Sequence, residues 1–236
     1  LSLKQILANK HSKIDSILNE FQNAFEKLSV QAQNNIIKLF RNGNFDLAAI
    51  QDGLSDYDEL IQEFVNKYAD VIPFTKQIGV EIGSTFVLSQ QAIENYDLIA
   101  QTSFERLLNT KANIALDMKK MAVESVLGGQ RFRTIRQGME EILQDTGRRI
   151  GTELYTGITN ADSIIKKDFY DKVDVQLFQY MGPRDDRTRD ECRATLNDPR
   201  NLTGWTRAEI EASQTPFIER GGWNCRHEWV PFTKEV

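Results

Sequence analysis

Residues 173–182, VDVQLFQYMG, mark where the chain stops repeating every three to four residues. Val173, Val175 and Leu177 alternate with polar neighbours and then lose strict order, the pattern of a strand entering a core. Upstream the pattern is helical almost throughout, and downstream come Pro, Gly, Trp and clustered charge. A boundary near residue 170 follows. It predicts an elongated helical body over 1–170 and a small α+β domain over 171–236, a mostly-α fold of the α+β class.

Working back from the boundary, Leu3, Leu7, Ile14, Leu18, Phe21, Phe25 and Leu28 recur at spacings of three, four or seven, one stripe on a helix. His11 lies beside the stripe and reads as a helix-surface residue. Asn42 and Gly43 interrupt the pattern as a turn does. LAAIQDGLSDYDELIQEFVNKYADVI resumes it, with Gly53 and Ser55 as an interruption, and Pro73 opens a stretch where Val80, Ile82, Phe86 and Val87 mix with glycine. The long segment from Ser89 to Leu127 is helical up to Gly128 and Gly129, a stop and a hinge. FRTIRQGMEEILQD predicts the next helix, ending near Gly147, and Ile150, Leu154, Ile158 and Ile164 permit another.

Working forward, Thr188 precedes Glu191 by three residues and Thr206 precedes Glu209 by three. Each spacing fits a capping box, in which the threonine oxygen accepts a helix N–H and the glutamate reaches back. Short helices are expected near 189–196 and 207–213. A domain of about 65 residues is hard to stabilise on an apolar core alone, so a staple or docking onto the helices is expected.

The chain holds two cysteines and two histidines, and three of the four lie in the last quarter: Cys192, Cys225 and His227. Cys225 and His227 would share one face of a strand, and a helical Cys192 could meet them. That supplies three ligands for Zn²⁺, with Asp186 or a water as the fourth. There is no Cys-x-x-Cys pair, and a Cys192–Cys225 disulfide does not suit a reducing cytoplasm. Packing is the favoured reading: buried thiols and a hydrogen-bonded histidine, with Trp223 and Trp229 flanking a core strand.

Catalytic patterns are incomplete. His227-Glu228 lacks the second histidine of a zinc-protease helix, and LGGQRFR lacks the lysine of a phosphate-binding loop. The Glu-Ile-Glu at 209–211 resembles the acidic triplet of ADP-ribosyltransferases, yet its first glutamate is accounted for by capping. Lys119, Lys120, Arg131, Arg133 and Arg136 form a basic stretch able to contact phosphates or an acidic partner. The formal charge of −5 disfavours a protein that coats nucleic acid. A hydrophobic content of 40% is enough for a real core. No stretch approaches the roughly 18 apolar residues that span a bilayer. The composition predicts a soluble protein with no membrane partner, and the incomplete catalytic patterns leave no small-molecule substrate expected.

Taken together, Gly182, Pro183, Asp186, Arg187, Thr188, Cys192, Asn224, Cys225, Arg226 and His227 resemble the C-terminal pattern of the Mu F-like head morphogenesis (minor capsid) proteins of tailed bacteriophages. That pattern runs Gly-Pro, Asp, Arg-Thr, a Cys-bearing helix, a variable loop, then Asn-Cys-Arg-Cys or Asn-Cys-Arg-His. Arg149, Thr152 and Glu153 match the upstream Arg-rich helix with its Thr-Glu pair, so the likeness covers residues 145 to 231. The chain departs from the pattern in having one cysteine in the first half and Gly-Gly-Trp in place of His-Pro. The resemblance implies a non-enzymatic virion protein in the phage head near the portal vertex, made in the host cytoplasm. It would associate with portal and capsid proteins and contact packaged DNA. It also implies that the matched residues hold the C-terminal fold, that Arg226 pairs with Asp186, and that Thr152 and Glu153 tie the helical body to that fold. The reading from another class is a zinc-stabilised nucleic-acid-binding module.

Overall fold

A computed structural model of the chain describes residues 1–233. Helix α1 spans Leu3–Arg41. It contains neither Gly nor Pro, and it buries Ile6, Ile14, Ile17, Phe21, Phe25, Ile36, Ile37 and Phe40 along one side. It ends at Gly43, whose φ of 71° suits a residue without a Cβ. Helix α2 (Leu47–Asp52) is capped by the Asp46 carboxylate accepting the Ala49 N–H. Gly53 to Ser55 separate it from α3 (Asp56–Asn66). A 3₁₀ turn over Lys67–Val71 leads into α4 (Ile72–Glu81), which carries Pro73 in its first turn, where a missing N–H costs nothing.

Helix α5 runs Gln90–Leu127 and stops at Gly128 and Gly129, the latter with φ 66°. Helix α6 then runs unbroken from Phe132 to Lys172. The expected end near Gly147 is corrected by a packing reason. A Cβ at Gly147 would come within 2.9 Å of the Phe25 ring, so this glycine answers to a close helix–helix approach and does not break the helix.

After α6 the chain turns at Asp174 (φ 54°) and enters strand β1, Phe178–Met181. The strand is shorter than the alternation at 173–177 suggested. Val173 and Val175 pack against the core from a turn, and Leu177 is exposed. Helix α7 (Asp190–Asn197), a 3₁₀ turn (Pro199–Leu202) and helix α8 (Arg207–Glu211) follow, then strand β2 (Glu228–Pro231). The strands pair antiparallel with Tyr180 opposite Trp229 and Met181 opposite Glu228. The outer side of β1 is finished without a full third strand. Phe178 and Trp205 exchange both backbone bonds at 2.8 Å. The Asn201 side-chain amide accepts from Tyr180 N at 2.6 Å and donates to Tyr180 O at 3.0 Å, acting as one more backbone rung.

One of the two expected capping boxes forms. Thr206 and Glu209 satisfy each other's backbone N–H groups at the start of α8. Thr188 instead turns away from α7, whose N-cap is Arg189 with no side-chain bond, because its hydroxyl is committed to the preceding loop.

The chain divides into two compact units, neither of them continuous in sequence. The first comprises residues 1–14, 68–99 and 155 onward, and the second comprises 15–67 and 100–154. In the first, Leu3, Ile6, Leu7, Ile78, Phe169, Tyr170, Phe178, Phe217 and Trp229 share one core with Cys192 and Cys225. In the second, Phe21, Phe25, Tyr57 and Phe64 pack in tilted and edge-to-face pairs at 5.0–5.6 Å between centroids. Among the described residues no helix is long and apolar enough to cross a membrane.

Candidate functional site

Three segments of the first unit bring the rare side chains together: α7 with Cys192, the loop 220–227, and β1 with Tyr180. The loop is bent by three left-handed residues, Arg220 (φ 51°), Gly222 (φ 79°) and Asn224 (φ 54°). This bend turns the Cys225 thiol onto Cys192, with Sγ to Sγ at 3.7 Å. His227 Nδ1 lies 3.8 Å from Cys225 Sγ, and the Tyr180 hydroxyl lies 3.5 Å from each sulfur. All four residues are buried. The ligating atoms of Cys192, Cys225 and His227 lie within 4.8 Å of one another. Cys225 and His227 meet Cys192 from the loop just before β2 and not from the strand itself.

The surroundings leave little room for other residues. A Cβ at Gly221 would overlap Cys192 Sγ, and one at Gly182 would overlap the His227 ring. The Gly221 N–H donates to Cys225 Sγ at 3.3 Å. Arg189 grips the loop through the carbonyls of Gly221 and Trp223. The Tyr155 hydroxyl donates to the Cys225 carbonyl at 3.2 Å. His227 Nε2 donates to the Pro183 carbonyl at 2.8 Å, which fixes the tautomer with the proton on Nε2 and the lone pair of Nδ1 towards the thiols. The Tyr180 ring stacks on His227 at 5.5 Å.

The two thiols are unequal. The hydrogen bond from Cys192 pulls the Cys225 thiol well below its ordinary value against the effect of burial, with His227 and Arg220 adding to it. The same bond, with burial, pushes Cys192 up. The bond to Cys225 and burial push the Tyr180 hydroxyl far above the phenol range, with burial the larger effect, so it stays a neutral donor.

The other expected residues take different places. Arg226 makes a two-pronged pair with Asp185, at 2.7 and 2.5 Å, and not with Asp186. The guanidinium holds the Asp185 carboxyl well below the carboxylate range. Asp186 is exposed and stands outside the thiol cluster. The expected pairing is one residue off because the Arg187 N–H and the Thr188 hydroxyl both bond the Asp185 carboxylate and hold it towards Arg226. Thr188 accepts from Asp185 N and donates to Pro183 O, both at 3.0 Å, so it braces the carbonyl that orients His227. Arg187 points its side chain to solvent. Trp223, expected beside a core strand, is 49% exposed, whereas Trp229 is buried. Asn224 supplies the last left-handed turn before Cys225, and its N–H points to Thr156 Oγ1 at 3.5 Å.

Thr152 and Glu153 belong to the second unit, where they line a cavity of about 370 Å³ with Thr110, Asn113, Asp117 and Arg149. Burial raises the Glu153 carboxyl, with Arg106 opposing. Of the basic stretch, Lys120, Arg131, Arg133 and Arg136 are exposed, and Arg136 bonds the Asn34 side chain at 3.0 Å. Lys119 is half-buried.

A second cluster in the first unit had no counterpart in the sequence reading. Lys10 of α1, Asp162 and Lys166 of α6, and Glu228 of β2 are each at most 2% exposed and make a closed ring of ion pairs. Asp162 receives Lys10 at 2.7 Å and Lys166 at 2.9 Å, and Glu228 touches both lysines. His11, read as a surface residue, places Nε2 3.3 Å from Glu228 at the partly exposed edge. Burial works against both carboxylates, but the two lysines outweigh it and hold them below their ordinary values. At Lys10 burial is outweighed by the two carboxylates, which raise the amine, whereas at Lys166 burial prevails and lowers it. The available signal was a charge on an apolar face: Lys10 falls between Leu7 and Ile14, and Lys166 between Ile165 and Phe169.

Compared with protein-family models, curated proteins and solved structures, the chain finds no match.

Proposed function

We propose that this chain is a Mu F-like minor head protein of a tailed bacteriophage, bound at the portal vertex and acting in procapsid morphogenesis, with a role in DNA packaging or ejection. The observation that carries this reading is the convergence of the residues behind the resemblance. Gly182, Pro183, Thr188, Cys192, Cys225 and His227, spread over 46 positions of sequence, meet in one cluster in which each has a steric or hydrogen-bonding task, with Thr188, Cys192, Cys225 and His227 buried. Such a cluster shapes a rigid small unit, and the long helices α1, α5 and α6 offer extended surface to portal and capsid subunits. On this reading Asp185, Arg226 and Thr188 serve the fold and carry no catalysis, and the chain is not an enzyme.

The test is co-sedimentation of the purified chain with the portal protein encoded beside it. Retention on the portal at stoichiometry below that of the capsid protein is the expected result. Failure to bind the portal, together with salt-sensitive retention on DNA that is lost when Arg131 and Arg133 become Ala, would replace this reading with a nucleic-acid-binding module.

A further inference from the structure

We propose that Cys192, Cys225, His227 and Tyr180 are a tetrahedral structural zinc site. Three kinds of observation carry it.

The first is shape. With Zn–S near 2.3 Å, Zn–N near 2.0 Å and Zn–O near 2.0 Å, a tetrahedron has a sulfur–sulfur edge of about 3.8 Å and sulfur–nitrogen and sulfur–oxygen edges of about 3.5 Å. The cluster has 3.7 Å between sulfurs, 3.8 Å from Cys225 Sγ to His227 Nδ1, and 3.5 Å from the Tyr180 oxygen to each sulfur. The two thiols are free and are separated by nearly twice the ~2.05 Å of a disulfide.

The second is the arrangement around the donors. His227 donates Nε2–H to the Pro183 carbonyl, the outer contact that fixes a metal-binding imidazole and leaves Nδ1 bare. The Gly221 N–H points at Cys225 Sγ, a bond that suits a thiolate better than a thiol. Arg189 holds two loop carbonyls just before it, those of Gly221 and Trp223, so Cys225 is presented by a fixed loop.

The third is what the cluster lacks without an ion. Four polarisable donors face each other in an apolar core, in a unit whose two short strands supply little ladder. A divalent cation replaces the two thiol protons, which leave to solvent. The two thiolates neutralise its charge, and no electron transfer is involved. The metal then joins α7, β1 and the loop before β2 at one point, adding to the hydrogen bonds of Arg189 and His227. Two sulfurs and an imidazole nitrogen favour zinc over magnesium or calcium.

Zinc is measured by inductively coupled plasma mass spectrometry on the full chain, expressed with zinc in the medium and purified without chelator. A ratio of one zinc per chain is expected. A high-affinity chelator should then lower the melting temperature, and added zinc should restore it. Cobalt exchanged into the wild-type chain should give thiolate-to-cobalt charge transfer and the intense visible bands of tetrahedral coordination, which a merely packed cluster cannot produce. C225S and H227Q should each lose the ion. If these variants fail to fold, the cobalt spectrum of the wild type still decides. Y180F should keep the fold and weaken zinc at least ~10-fold in chelator competition. The site is overturned by a chain without zinc whose melting temperature ignores chelator, or by loss of both free thiols to a disulfide. It is also overturned as a four-ligand site by a Y180F variant with unchanged zinc affinity. All of these readouts use the isolated chain, so they stand or fall separately from portal binding.

Discussion

Gly221 shows how one missing methyl can govern a site. Its hypothetical Cβ falls on Cys192 Sγ, and its N–H serves Cys225. Gly221→Ala is expected to cost about 1–3 kcal/mol in urea denaturation through overpacking, with Cys192 displaced from its partner. Cys225→Ser should lower the melting temperature as well. It leaves a smaller, more polar atom where Cys192, Tyr180 and Gly221 converge, and an unchanged melting temperature together with unchanged portal binding would sink the structural role of the cluster. At this scale the sequence was legible in kind but not in register. Rarity singled out Cys192, Cys225 and His227. The resemblance paired Arg226 with Asp186, one residue off, because only the Arg187 N–H and Thr188 hydroxyl of the folded loop choose Asp185. Tyr180 and Gly221 escaped notice because a tyrosine in a strand and a glycine in a loop are ordinary until their neighbours are known.

At the scale of elements, α6 separates the two uses of glycine. Gly151 has nothing within 4 Å of a hypothetical Cβ, whereas one at Gly157 would overlap the Tyr68 hydroxyl. Gly151→Ala is therefore expected to stabilise the chain by about 0.5–1 kcal/mol through helix propensity alone. Gly157→Ala should destabilise it despite the same propensity gain, because Tyr68 is fully buried and its ring must move. Thermal melts of the two variants give shifts of opposite sign if these placements hold. Helix periodicity was readable because its cause is local: α1 and α5 keep their repeats and stop at Gly43 and Gly128–Gly129. A glycine that admits a neighbouring helix looks the same in sequence as one that ends a helix, so the end expected near Gly147 did not appear. The strand was legible as a change of period, but its length was set by the partners Trp205 and Asn201, which lie beyond any local window.

At the scale of the molecule, the ring of Lys10, Asp162, Lys166 and Glu228 decides how the first unit responds to charge. Removing one member strands its partners in a water-excluded site, so Lys10→Met is expected to cost about 3–5 kcal/mol. The pH dependence follows from Asp162, which is faced by Lys10 and Lys166 and lies near Glu228. Its folded value is depressed below the unfolded value of about 4, so its contribution is complete above that value and is lost as pH falls through the folded one. Urea midpoints measured in chelator from pH 7 to pH 3 should fall, and Asp162→Asn should flatten the slope as well as lower the plateau. The unit also draws on residues 1–14, 68–99 and 155–170 as well as the C-terminal residues. A fragment of residues 171–236 lacks Leu3, Ile6, Lys10, Lys166 and Phe169, and should show no cooperative melt by circular dichroism. The change of character near residue 170 was visible because it is a change of local pattern. The joining of distant segments leaves only a trace, a lysine or aspartate on an apolar stripe.

The contact between Lys10 and Glu228 crosses 218 residues of chain. During synthesis a ribosome adds on the order of 5–20 residues per second, so Lys10 waits more than ten seconds for its counter-charge to be made. In the last third of that interval, once residue 154 is made, the second unit, drawn from residues 15–67 and 100–154, has all its segments, while the first has neither its sheet nor its ion ring. The apolar stripe of residues 3–14 is then exposed on a nascent chain, and any chaperone or assembly partner that recognises an amphipathic helix can reach it before the fold closes over it.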